Sequence, residues 1–243
     1  MSRRRWLALE FLLLFFVLPA MYAVYGFSFV HPVVAMWGFS ASFLVVLLRS
    51  GELDRAHLWT GPHQITGRQI KLILARFMAL GTLLVLWVVV LEPDRLFGFP
   101  RMRPRLWLIV VCLYPVLSVY PQGIAYRAFV LQRYGELFGY GWKGVVASAL
   151  AFSFAHITYW NPVAVFLTFA GGLLFAATYV RTRSIILSGI EHALYGNLIF
   201  TIGLGHYIYS GAVRTSMLRK SDPFSLRIND PYGAQRAELD KRI

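Results

Sequence analysis

Apolar runs close to twenty residues long, almost free of charge, recur along this chain and limit what it can become. A helix needs about 20 apolar residues to cross the hydrocarbon core of a bilayer. Seven candidate spans can be read, at about 6–27, 31–48, 70–91, 105–123, 144–157, 163–180 and 185–207. The fifth is short and reads as a half-buried or tilted helix. Composition points the same way: 58% of the 243 residues are hydrophobic and 14% are charged, where a soluble domain carries about 25% charged residues. Too few polar groups remain to cover a globular surface, which argues against a soluble enzyme, a disordered chain or a fibrous protein. The expected fold is all-α: a polytopic transmembrane bundle of about seven spans (six to eight), forming one domain over 1–211. A polar, poorly ordered tail is expected over 212–243. The first run follows Arg3-Arg4-Arg5. It is long for a signal core and has no small-residue cleavage site after it, so it reads as a span. The single cysteine, Cys112, excludes an intramolecular disulfide framework and a cysteine-rich metal site.

The net charge of +13 would suggest nucleic acid in a soluble protein. Here the basic residues fall between apolar runs, where they mark cytoplasmic loops and meet anionic headgroups. The expected partners are therefore membrane lipids, with no nucleic acid. Arg3 to Arg5, the Arg49–Arg76 loop, Arg133 with Lys143, and Arg181 with Arg183 read as cytoplasmic. Arg101, Arg103 and Arg105 and the basic tail fall on the other side and go against the rule. The expected location is the cell membrane, as a multi-pass protein. Trp6, Trp37, Trp59, Trp107, Trp142 and Trp160 lie near span ends, where they serve as interfacial anchors or as ordinary packing.

Ionisable groups inside a span are costly and become functional candidates. They cluster late in this chain: Arg127, His156, Glu191 and His192, joined by the uncharged Gln122 and Asn197. A guanidinium does not deprotonate in a protein, so a buried Arg127 needs an anion or a set of carbonyls. Position 123, four residues earlier on the same face, is glycine, which leaves Glu191 as a candidate partner. Glu191 and His192 point about 100° apart on one helix. His206 is about 21 Å along the axis from His192, too far to share a metal. Glu10 reads as complementing the first helix dipole and Arg3 to Arg5. His31, His57 and His63 read as surface residues. Gly171-Gly172 reads as close helix packing. Two histidines with an intramembrane arginine and an acid suit a water-activating site or a metal site, and a proton-coupled carrier would use the same residue types.

At these segments the chain resembles the CAAX-prenyl-protease and bacteriocin-processing (CPBP, abortive-infection) family of intramembrane proteases. Its motifs are Glu-Glu-x-x-x-Arg, Phe-x-x-x-His, and His with Asn four residues on. Gln122 to Arg127 stand at the first, Phe152 to His156 at the second, and His192 to Asn197 at the third. The resemblance covers about 105–210. It implies a helical membrane bundle that hydrolyses a peptide bond of a prenylated or hydrophobic peptide by an activated water. It also implies catalytic roles for the matching residues Arg127, His156 and His192: His156 activates the water, and His192 with Asn197 holds the oxyanion. The family's metalloprotease label implies a divalent metal, zinc, held by His156 and His192.

Two departures stand out. Gln122 and Gly123 replace both glutamates of the first motif; Gln122 orients a water but takes no proton from it. Asn197 stands one place late. Three readings stay open. One is a working protease, the favoured reading, whose base is Glu191 or His156 alone. Another is a catalytically impaired member that acts as a membrane binding or scaffold protein. The third is a carrier with a coincidental match.

Overall fold

The structure is a computed structural model that describes residues 2–25, 32–51, 55–59 and 65–208. Seven main helices follow one another: α1 Arg3–Tyr25, α2 Pro32–Ser50, α3 Gly67–Leu91, α4 Pro104–Arg133, α5 Trp142–Ala155, α6 Pro162–Thr182 and α7 Ile185–Ile202. All except α5 are long and apolar enough to cross a membrane. The chain is an integral, multi-pass membrane protein with an all-α bundle. The faces turned away from the bundle are apolar too, as at Met78, Leu83, Val90 and Leu91 of α3. That is the pattern of a surface solvated by lipid tails.

Local chemistry sets the helix ends. Thr66 and Gln69 form a reciprocal capping box at the start of α3. The Asn161 side chain accepts from Val163 N at 2.8 Å ahead of Pro162, opening α6. Arg183 takes a left-handed conformation (φ 53°) and ends α6, and Ser184 caps α7 by accepting from Leu187 N. This tight connection folds α6 and α7 into a hairpin. Gly203 ends α7 at φ 112°. A Cβ there would stand 2.3 Å from the Arg95 carbonyl, so glycine meets both the conformation and the close approach.

Pro115 and Pro121 lie inside α4. A proline has no N–H, so each frees the carbonyl four residues earlier, at Val111 and Leu117. The helix widens into π turns over Pro115–Val119 and Ile124–Phe129 and continues. The freed carbonyls find donors on other helices. Asn197 Nδ2 on α7 donates to Val111 O at 3.3 Å, and Trp37 Nε1 on α2 donates to Leu117 O at 2.9 Å. Ser40 of α2 donates to Pro121 O, and Ser148 of α5 donates to Tyr126 O.

The larger core joins α1, α2 and the end of α4 around Phe11, Phe15, Phe43, Phe129 and Tyr134. The Phe43 and Phe129 rings stack at 4.1 Å. Burying such aromatic faces contributes beyond area alone. Glu10 lies beside this core. Arg133 Nε and Nη2 each donate to it at 3.0 Å, and the Tyr134 hydroxyl adds a third bond at 3.0 Å. The acid therefore clips α1 to the end of α4, instead of complementing its own helix dipole.

Several boundaries differ from those read in the sequence. The fourth span runs to Arg133 and not to 123, because the π turns carry the helix past both prolines. The fifth is a 14-residue helix, Trp142–Ala155, with much of its surface buried. The seventh stops at Ile202, which places His206 beyond it. Trp37 and Trp107 make specific bonds, the second to Thr201 Oγ1 at 3.1 Å. The loop at 28–31, the His63 position and the tail over 212–243 lie outside the described residues, as does the His57 side chain.

Candidate functional site

The Phe152 ring on α5 gathers three of the residues singled out in the sequence. Arg127 Cζ of α4 lies 4.5 Å over it. The His156 ring meets its edge at 4.7 Å, and the His192 ring of α7 at 5.4 Å. Phe175 of α6 completes the cluster. Its ring stacks on His192 at 4.5 Å, 19° from parallel, and lies 5.2 Å from Arg127 Cζ. Gly172 permits this approach: a Cβ there would stand 3.0 Å from Ala149 Cα and 3.2 Å from Phe152 Cδ1. The small residue lets α5 and α6 close up and set Phe152 over the interface.

Arg127 sits in the second widened stretch of α4 and is 1% exposed. Its Nε, Nη1 and Nη2 have no hydrogen-bond partner among the described residues. The faces of Phe152 and Phe175 supply cation–π attraction, which offsets part of the desolvation cost. Glu191 is not its direct partner. That carboxylate is fully buried, takes the Thr178 hydroxyl proton in a hydrogen bond, and lies 3.5 Å from Arg76 Nε of α3. Arg76 Nη2 also donates to Thr178 at 3.2 Å. Arg76, read in the sequence as the end of a basic loop, is an inward-facing residue of α3.

His156 caps the end of α5. Its Nδ1 is 2.7 Å from the Phe152 carbonyl oxygen. A carbonyl oxygen only accepts, so Nδ1 carries the proton and Nε2 carries the lone pair. The residue is half-buried, next to Tyr159 with ring centroids at 5.7 Å. His192 Nε2 is 3.0 Å from the Tyr114 hydroxyl of α4, and its Nδ1 has no partner among the described residues.

The other candidates face elsewhere. Gln122 Nε2 donates to Ser118 Oγ at 2.8 Å and approaches Met36 Sδ at 3.4 Å, toward α2. A Cβ at Gly123 would stand 2.9 Å from Ile185 Cγ2, so the start of α7 closes that position. Asn197 commits its amide to Val111 O, one turn from Tyr114 along α4. Two imidazoles reach the cluster. Among the described residues no set of three His, Cys, Asp or Glu side chains comes together. A catalytic zinc takes three protein ligands, so the residues present do not fit the zinc expected on His156 and His192.

Sequence reasoning missed Tyr114, Phe175, Arg76 and Thr178. A tyrosine in an apolar span and an arginine near the start of another were the only signals. Tyr114 and His192 are 78 positions apart, Arg76 and Thr178 are 102 apart, and Thr178 meets Glu191 across the α6–α7 hairpin, 13 positions on.

A shallow, open and mostly apolar depression of about 470 Å³ lies between α5 and α6, lined by Leu150, Ser153, Pro162, Val165, Phe166 and Phe169. Ser153 lies about one helical turn before His156.

No curated protein and no solved structure matches the chain. A family model does match, over residues 102–198, about two fifths of the chain; its description is type II CAAX prenyl endopeptidase Rce1-like. The matched segment holds Arg127, Phe152, His156, Glu191, His192 and Asn197, and over that segment the resemblance to the CAAX-protease family is shown.

Proposed function

We propose that this chain hydrolyses a peptide bond of a prenylated or otherwise hydrophobic peptide inside the cell membrane, with His156 as the general base. The observation that carries this reading is the fixed tautomer of His156. The Phe152 carbonyl holds Nδ1–H, which turns the lone pair of Nε2 to the other side of the ring. A base held in one tautomer needs no reorganisation before it takes a proton from water. The water then adds to the peptide carbonyl, and the same imidazolium returns the proton to the leaving amine.

The neighbours support this chemistry. Arg127 is a buried cation with no hydrogen-bond partner among the described residues, and in a low-dielectric setting it favours negative charge developing nearby. The depression between α5 and α6 suits the apolar part of a substrate arriving from the lipid. Glu191 is held by Arg76 and Thr178 and supports the packing of α3, α6 and α7.

The test is cleavage of a farnesylated CAAX peptide and its unprenylated counterpart by protein in bilayer discs, beside His156→Gln. The expected result is release of the terminal tripeptide from the farnesylated peptide, and a loss of about 10²–10⁴-fold in His156→Gln. Cleavage of neither peptide by the parent protein overturns the reading.

A second reading draws on Gly123. Position 123 carries no carboxylate, and a Cβ there would already press on Ile185 Cγ2 at 2.9 Å, which favours a protein that binds the peptide without cutting it. Binding of the farnesylated peptide with no cleavage would select it.

A further inference from the structure

Peptide hydrolysis by an activated water requires more than a base. As the carbonyl becomes tetrahedral its oxygen takes a full negative charge, and a preorganised donor at that oxygen accounts for much of the catalysis. Asn197 spends one of its two amide N–H groups on Val111 O. Arg127 is covered by Phe152 and Phe175 and is 1% exposed. The Tyr114 hydroxyl is set apart by its direct hydrogen bond to one of the cluster's imidazoles, His192.

Tyr114 is placed with care. A Cβ on Gly196 would stand 2.3 Å from Tyr114 Cε1 and 2.5 Å from its hydroxyl oxygen. The phenol therefore lies directly on the backbone of α7, and only glycine leaves it room. Gly196 is four residues after His192, on the same helix face, so a ring laid on Gly196 brings its hydroxyl to His192 Nε2 at 3.0 Å. The Phe200 ring, at 5.2 Å and 83°, holds the phenol from the next turn. Tyr114 is half-buried. It reaches His192, and the His192 and His156 rings both meet Phe152, at 5.4 and 4.7 Å. A phenol both donates and accepts. When Nε2–H of His192 donates to the phenol oxygen, the phenol O–H is left to donate onward.

We propose that the Tyr114 hydroxyl, backed by His192, is the hydrogen-bond donor that holds the oxyanion during hydrolysis. The proposal rests on the hydrolytic reading given above. In the first step a water O–C bond forms as the water proton passes to His156 Nε2. The carbonyl π pair moves onto oxygen, which accepts from Tyr114 O–H. In the second step the C=O bond re-forms, the C–N bond breaks, and His156 returns its proton to the departing nitrogen. Tyr114 keeps its proton throughout.

The experiment measures kcat, KM and the pH profile for the farnesylated CAAX peptide in bilayer discs, for the parent, Tyr114→Phe and Gly196→Ala. Tyr114→Phe keeps the ring and removes the donor. Gly196→Ala keeps the hydroxyl and displaces it from His192. Both are expected to lower kcat by about 10²–10³-fold, the usual loss for one oxyanion donor. KM should stay within about threefold, and the acid limb set by His156 should not move. Thermal melts establish which variants are folded, and either folded variant decides the matter. A folded variant that retains most of kcat, or loses efficiency through KM alone, overturns the role of Tyr114 and leaves the hydrolytic reading standing. A parent protein that cleaves nothing removes the hydrolytic reading, and this proposal with it.

Discussion

Arg76 Nε lies 3.5 Å from the Glu191 carboxylate across the α3–α7 interface, and the acid is fully buried. Removing one member of such a pair leaves an uncompensated charge, which costs about 3–5 kcal/mol, whereas replacing both with apolar residues is often neutral or stabilising. Arg76→Met is therefore expected to lower the unfolding free energy by that amount, and Arg76→Met with Glu191→Met to restore most of it. Reversible unfolding in mixed micelles checks both. Glu191→Gln also tests the unused alternative for the base. A fall of 10²-fold or more in kcat with an unchanged melt would give Glu191 a proton-transfer role in place of a structural one.

Arg127 shows the opposite balance. It is buried with no hydrogen-bond acceptor among the described residues, so its charge is a burden on the fold. Arg127→Met keeps much of the volume and removes the charge. It is expected to be neutral or to stabilise by about 1 kcal/mol or more, while cleavage of the farnesylated peptide falls by at least tenfold. A destabilised Arg127→Met protein would mean that the cation–π contacts with Phe152 and Phe175 outweigh the cost of burying the charge.

Asn197 and Pro115 form a testable pair. The asparagine satisfies a carbonyl that only the proline leaves free. Asn197→Ala is expected to cost about 1–3 kcal/mol, the penalty of a buried unsatisfied acceptor. In a Pro115→Ala background the backbone N–H returns, and the same substitution should cost less than half as much. A double-mutant cycle of unfolding free energies measures the difference. Equal costs in both backgrounds would separate the two residues.

His206, past the end of α7, should make stability depend on pH. Burial holds its pKa below the ordinary histidine value; the nearby Arg95 adds to this, and the Gly203 carbonyl and Glu92 oppose it. The unfolded chain then takes up the proton first as pH falls. Stability is fully present above the unfolded value of about 6.5 and declines as pH drops below it. Melting between pH 7.5 and 5 should show this decline, and His206→Gln should flatten it. Nδ1 of His206 donates to Gly203 O at 2.8 Å, while Nε2 stands 3.7 Å from Glu92, which also accepts from Tyr207 at 2.7 Å and from Arg95. A slope of the opposite sign would mean that the Glu92 attraction outweighs burial.

The helical bundle was legible because a bilayer imposes one length and one polarity on every crossing segment, and the apolar runs report both. Arg127, His156 and His192 were legible as a group because charge and imidazole are rare in such runs. The pairings were not. Glu10 and Arg133 are 123 positions apart, and no periodicity links them. Asn197 looked like a displaced active-site residue until Pro115 supplied the reason for its position. Gly196 carries no signal in the sequence, and its meaning appears only when Tyr114 is seen lying on it. The span placed at 105–123 runs on to Arg133, because its turns widen past Pro115 and Pro121 and donors on other helices satisfy the freed carbonyls.

The helix with the least regular backbone is also the most firmly anchored. Four carbonyls of α4, at Val111, Leu117, Pro121 and Tyr126, accept side chains from α7, α2 and α5. Each bond fixes a neighbour's height along α4 to a single residue, so a slide of one turn, about 5.4 Å, would break all four together. The prolines that interrupt the helix free two of these carbonyls and so turn it into the bundle's keel, and Arg127 and Tyr114, which ride on it, are held at fixed heights against α7, α2 and α5.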